Sequence, residues 1–206
     1  MFAILYVLRG LYRILFTFSP LVMVRMLVGM TFSPLARMAS RQKLPAEAER
    51  LGLTFTPSKT YGEFGTITGT VRGHEVEVEP DSDAMVSVSH GECRLNLMMH
   101  RPTERPEAGM EDFTTQSSAF NLLFHTRRAS PELAEIFRTD PGLACAFVRY
   151  FLRWMWRLDG FCVIETRIVC SFTWGQYFFF RIPAGYLEML VEDTVALAES
   201  LEAALG

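Results

Sequence analysis

The first 43 residues contain no Asp or Glu, although the whole chain of 206 residues carries 23 of them. That absence argues against an ordinary helix of a soluble core, which normally sets acidic side chains on its wet face. The same stretch also lacks a run long enough for a simple membrane span. Its cleanest apolar segment, Ile14 to Val24, is closed by Arg13 and Arg25; it is about half of the ~20 residues a spanning helix needs. No small-residue cleavage site follows a clean hydrophobic region, and the basic residues lie inside and after the apolar run. A secretory signal peptide is therefore disfavoured. Cysteine is sparse: Cys93, Cys145, Cys162 and Cys170, with no Cys-x-x-Cys pair. Cys162 and Cys170 fall on the same face of one predicted strand, too far apart to bond. Four free thiols in a reducing compartment are expected. No Ser-centred nucleophile elbow, P-loop or Rossmann glycine fingerprint occurs; Gly65 and Gly69 sit within a strand pattern, not ahead of a helix. No cofactor, catalytic residue or small-molecule substrate is identified.

Against these absences stands a pronounced charge asymmetry. Residues 1–43 hold Arg9, Arg13, Arg25, Arg37, Arg41 and Lys43, for a net charge of +6. The rest of the chain holds the other 14 basic and all 23 acidic residues, a net of −9 within the total of −3. An acidic body gives little support to a nucleic-acid role. A basic, apolar arm suits an anionic lipid surface instead. The arm carries Thr-Phe-Ser-Pro-Leu twice, at 17–21 and 31–35. Ser19 and Ser33 are suited to cap helices and Pro20 and Pro34 to open them. Three short helices are expected, at about 2–16, 20–30 and 34–43. On the first, Arg9 and Arg13 share a face with Tyr6. Their guanidinium groups would meet lipid phosphates while the apolar remainder sinks into the membrane. The six basic residues are the expected lipid contacts. Competing readings keep the arm as a single span or hairpin, or pack it on the body or on a second subunit.

The body, residues 44–206, reads as α+β with a mainly antiparallel sheet: a β meander, then helices, a β-hairpin and a C-terminal helix. Leu44 to Gly52 is expected as a short helical linker opened by Pro45. Strands are expected at Leu53–Thr56, Phe64–Val71 and His74–Glu79, the last alternating Val76 and Val78 with three glutamates. Met85–His90 and Arg94–His100 are expected to pair around Gly91-Glu92. Arg101 to Met110 reads as a loop, Thr114–Ser118 as a turn, and Phe120–Thr126 as a short extended piece. Ser130-Pro131-Glu132 opens a helix to about Arg138. Asp140-Pro141 opens another to about Gly160, with Leu143, Phe147, Tyr150, Phe151, Trp154 and Leu158 on its apolar face. Phe161–Phe172 and Trp174–Ile182 are expected to form a long hairpin. Tyr186 to Leu205 closes the chain as a helix with Leu187, Leu190, Val191, Leu197, Leu201 and Leu205 inward.

The order of elements, with Phe120-Asn121-Leu122-Leu123-Phe124 followed by the Pro131–Glu135 helix start, resembles uncharacterised bacterial proteins with a membrane-tethered α+β domain of unknown function. The resemblance covers about residues 50–205. It implies membrane tethering and no assigned activity, and it supplies no catalytic residues. Ser118-Ala119 stands where that pattern more often has an acidic turn.

Three groupings in the body have chemical potential. His90, Cys93 and His100 are metal-type ligands, but Cys93 and His100 differ in strand parity and cannot converge; no metal is expected. Arg149, Arg153 and Arg157 recur every four residues and can contact an anion such as lipid phosphate, or pair with the acidic side of the last helix. His125 with Arg127 and Arg128 can also bind an anion. The acidic run from Glu75 to Asp83 reads as a solvated strand edge. Taken together, the sequence points to a non-enzymatic membrane-associated adaptor or accessory subunit, peripheral or shallowly inserted at the cytosolic face. The alternative is a soluble homo-oligomer or complex subunit whose arm packs on a neighbouring chain.

Overall fold

A computed structural model of the chain describes residues 43–59, 65–80, 83–91, 93–99, 109–155, 157–164, 166–173 and 185–205. The three arm helices, and the strand expected at Trp174–Ile182, lie outside the described residues.

Among the described residues nine strands form one antiparallel sheet: β1 (Thr54–Thr56), β2 (Thr66–Val71), β3 (His74–Glu79), β4 (Asp83–Ser89), β5 (Leu95–Met98), β6 (Glu111–Asp112), β7 (Thr126–Ala129), β8 (Leu158–Ile164) and β9 (Arg167–Thr173). Their spatial order is β1-β2-β3-β4-β9-β8-β5-β7-β6. Five helices accompany them among the described residues: α1 (residues 43–50), α2 (Ser118–Leu123), α3 (Pro131–Thr139), α4 (Pro141–Trp154) and α5 (Tyr186–Leu205). The chain is α+β with an antiparallel sheet, as the lack of strict strand–helix alternation in its sequence predicts.

Strand alternation gives the sheet two unlike faces. Ile67, Val76, Val78, Val86, Val88, Ile168, Cys170, Val163 and Leu97 line up across it and are all buried. The helices cover this face. Phe147 of α4 lies against Phe161, Trp154 against Phe172, and Phe124 against Phe161. On the other face stand Glu75, Glu77, Arg167, Val169, Cys162, Ile164, Asn96 and Arg128, all partly or fully exposed. Leu158 and Phe161 are both buried although three residues apart. A register shift between Leu158 and Gly160 absorbs the extra residue. A Cβ at Gly160 would stand 2.6 Å from the Ser171 hydroxyl, so only glycine fits this bulge without displacing that side chain.

Several expectations are corrected. The Met85–His90 and Arg94–His100 strands do not pair: β4 pairs with β3 and β9, and β5 with β7 and β8. The reason lies in β9, which offers β4 seven aligned residues with an apolar face, where β5 spans only four. Phe161–Phe172 is not one strand but β8 and β9, turned beside Thr166, so the β8–β9 hairpin inserts itself between β4 and β5. Cys162 and Cys170 therefore point to opposite faces of neighbouring strands; all four cysteines are free thiols.

The turn and extended piece expected at 114–126 form α2 instead. Ser117 caps it, its hydroxyl accepting from the Phe120 amide, and Asn121 folds back on Thr115 through two hydrogen bonds of 2.7 and 3.0 Å. One helical turn there sends both Phe120 and Leu123 into the core. The helix expected to Gly160 stops at Trp154, because Leu158 is recruited into β8. Its stripe of Leu143, Phe147, Tyr150, Phe151 and Trp154 is buried as expected. Residues 44–52 are more than a linker. Helicity is already present at Lys43, ahead of Pro45, and Leu44 and Ala48 are buried in the common core. In α5 the inward leucines are buried except Leu205, which is 41% exposed.

Phe147 sits at the centre of the aromatic cluster, with its ring 6.0 Å from those of Phe120, Phe124, Phe137 and Phe161. Phe147→Ala should cost about 3–5 kcal/mol through the cavity it leaves. Arg72→Ala, which removes exposed pairs to Glu192 and Glu199, should cost about 1 kcal/mol or less per pair. Urea denaturation monitored by tryptophan fluorescence will rank the two; a larger loss at Arg72 would contradict the packing account.

Candidate functional site

Of the expected lipid contacts, Arg9, Arg13, Arg25, Arg37 and Arg41 lie outside the described residues. Lys43 is exposed at the first described position of α1. The Arg149, Arg153 and Arg157 series does not form a continuous helical stripe, because α4 ends before Arg157. Arg149 is exposed on α4 and takes part in no ion pair among the described residues. Arg153 donates to Asp193 of α5 at 2.8 Å and lies 5.8 Å from the Trp154 ring centroid. Asp193 also accepts from the Trp154 indole at 3.0 Å. The Arg157 guanidinium stacks 4.6 Å from the Tyr186 ring centroid. Two of the three arginines are thus used to fasten the α4 end of the layer to the start of α5.

The metal-type grouping also changes character. His100 lies outside the described residues. The His90 Nδ1 is 2.8 Å from the Gly91 carbonyl oxygen and 3.5 Å from the Cys93 sulfur. His74, on the next strand, is 3.8 Å from Glu202 of α5, which in turn accepts from the Gly91 amide at 2.7 Å. No group of three or more His, Cys, Asp or Glu side chains among the described residues has metal-binding geometry. Nor is the Cys93–His90 contact an activated nucleophile. Burial, reinforced by Glu202, pushes the Cys93 thiol up to about 11. Burial pulls the His90 imidazole below its ordinary value. Both groups are driven to their neutral forms, the reverse of a thiolate–imidazolium pair. The expected acidic edge is paired rather than simply solvated: Arg167 reaches Glu77 at 3.3 Å and Glu75 at 3.5 Å on the sheet face opposite the described helices.

The grouping of His125, Arg127 and Arg128 does come together. A cleft of about 310 Å³ opens at the β6–β7 end of the sheet. It is lined by Asp112, Phe113, Thr114, His125, Thr126, Arg127, Arg128 and Arg138. Arg127 donates to the carbonyls of Phe113 at 3.0 Å, Asn121 at 2.7 Å, and Phe124. It thereby serves as the C-terminal cap of α2, where carbonyl groups lack helical partners. Arg128 donates its Nε to Asp112 at 3.1 Å. Arg138 arrives from α3 and is held by Glu111 at 2.6 Å and Glu135 at 3.4 Å. Sequence reasoning missed Asp112 and Arg138, because both are brought in by the β6–β7 register and by the helix packed beside it. A recognisable signal was the Glu111-Asp112 pair, which faces Ala129 and Arg128 across the strands.

No protein-family model matches the chain, and no curated protein does. Among solved structures, the crystal structure of the mycobacterial trehalose monomycolate transport factor A, TtfA, is similar at a TM-score of 0.47 and 7% identity, over 80% of this chain and 93% of that chain.

The buried His90 makes a pH prediction. Its protonation is opposed in the folded state, so below its ordinary value of 6.5 the unfolded chain takes up the proton first. Stability therefore rises with pH through this window and is lost as pH falls below 6.5. Denaturation midpoints measured from pH 7.5 to 5.5 should fall, and His90→Gln should flatten that slope. An unchanged slope in the variant would show that His90 is not the group responsible.

Proposed function

We propose that this protein is a non-enzymatic, membrane-associated adaptor or accessory subunit, held at the cytosolic face by its N-terminal arm. The observation that carries the reading is the charge distribution: six basic and no acidic residues among the first 43, in an otherwise apolar stretch, joined to a body of net charge −9. Such an arm gains both from burying apolar side chains at the lipid boundary and from anionic headgroups. The acidic body would be repelled by the same surface, which favours a tethered rather than a flattened arrangement. Among the described residues no helix is long and apolar enough to cross a membrane. The second reading, a homo-oligomer or complex subunit, draws support from Ile164, 38% exposed on the sheet face opposite the described helices, and from Leu152 and Met189, 36% and 44% exposed on α4 and α5.

Sedimentation of the full chain with vesicles separates the two. It should bind phosphatidylglycerol-containing vesicles more tightly than neutral ones. A basic residue near an anionic leaflet contributes about 1 kcal/mol, so Arg9→Gln with Arg13→Gln should weaken binding about thirtyfold. A chain that stays in solution as a discrete oligomer, indifferent to these changes, would favour the second reading. A truncation used as a control should begin at about residue 41, so that Leu44 keeps its place in the core.

A further inference from the structure

The cleft at the β6–β7 edge is built in a way that its structural duties do not explain. Strand alternation sends neighbouring side chains of β7 to opposite faces, so Arg127 stands on the helix side and Arg128 on the open side. Two guanidinium groups thus straddle one sheet edge, and Arg138 adds a third from α3.

Their partners differ in kind. Arg127 is half-buried and fixed by three carbonyl oxygens, with no carboxylate among the described residues to balance its charge. A partly desolvated cation without a counter-ion is unfavourable unless an anion is supplied. The Arg128 side chain is only 15% exposed, yet its carboxylate partner Asp112 is 79% exposed. Asp112 engages only the Nε of Arg128. The terminal amino groups of Arg128 have no carboxylate partner among the described residues, and a guanidinium can match the oxygens of a phosphate in a two-pronged bond. The exposed Thr114 and His125 line the same cleft and add further hydrogen-bonding groups.

We propose that this cleft is a binding site for a single phosphate-type oxyanion, with Arg128 as its principal donor, Arg127 as a neighbouring positive charge and Asp112 as an internal competitor. The anion takes the place of the Asp112 carboxylate beside Arg128, and Arg127, which has no carboxylate partner among the described residues, adds to the local positive charge. The volume of about 310 Å³ fits a phosphate ester rather than a polymer. The net charge of −9 on the body disfavours an extended polyanion. The phosphate can belong to a small soluble ester or to a lipid headgroup, and the inference does not depend on how the N-terminal arm behaves.

The test uses the full chain and two probes: inorganic phosphate, titrated by calorimetry against sodium chloride at matched ionic strength, and phosphatidic acid in phosphatidylcholine vesicles. Arg128→Gln removes a charge-assisted contact and should weaken binding about tenfold. Asp112→Asn removes the competitor and should tighten it by a similar factor. That opposite pair of responses is one a merely structural ion pair does not give, since both changes break the same bond. Both variants should keep the parent's urea midpoint to within the small effect of a half-exposed pair. If phosphate binds and responds to both changes, the source is a soluble ester. If only the phosphatidic acid vesicles respond, it is a headgroup. Arg9→Gln with Arg13→Gln should leave phosphate titration untouched, which separates this site from the arm. Absence of phosphate and vesicle responses to both Arg128→Gln and Asp112→Asn, or equal weakening by both, overturns the proposal.

Discussion

The pairing of β4 with β9 is the joint on which the rest of the body depends. Seven residue pairs, from Asp83 with Thr173 to Ser89 with Arg167, hold the meander β1–β4 to the second half of the sheet. Break that seam and two sheets remain, each with a long apolar edge open to water or to another chain. On the buried face the seam aligns Val86 with Cys170 and Val88 with Ile168, all without exposure. The helices then bridge it. Tyr150 of α4 donates to the Cys170 sulfur at 3.1 Å and lies 2.9 Å from the Thr194 hydroxyl of α5. Its hydroxyl is held far from ionisation, chiefly by complete burial.

From that joint follows the division of labour between the ends of the sheet. At the meander end, α5 is clamped to the β2–β3 turn by Arg72, whose backbone adopts a left-handed φ of 50°, uncommon outside glycine. Two carboxylates hold that arginine at 2.7 and 2.8 Å. At the other end, the same residue type does a different job. Arg127 takes three carbonyl oxygens and has no carboxylate partner among the described residues, while its neighbours Arg128 and Arg138 are paired with Asp112, Glu111 and Glu135.

Much of this body could be read from its residues, and the failures share a cause. The His74–Glu79 alternation, the Ser130-Pro131 cap and the α4 and α5 stripes depend on local chemistry and appear as expected, except that Leu158 joins β8 and Leu205 is exposed. What local chemistry leaves open is which strand sits beside which. Nothing near Ser89 or Leu95 tells them to part and admit β8–β9; that outcome is set by residues some 80 positions away in the sequence. Likewise β8 and β9 read as one strand, because both are apolar on alternate positions and only the turn at Thr166 separates them. The cleft was half legible. His125, Arg127 and Arg128 are sequence neighbours, whereas Asp112 and Arg138 join them only through register and packing.

For function, the weight rests on an asymmetry that belongs to the sequence: a basic, acid-free arm of 43 residues on an acidic body. The fold adds that the body begins at once, with Leu44 already in the core. Alkaline carbonate extraction of native membranes tests the central claim most directly. The account predicts that the protein sediments with membranes and is then released by carbonate, as an interfacial arm requires. Recovery in the soluble fraction before any carbonate treatment, or full retention after it, would contradict that claim.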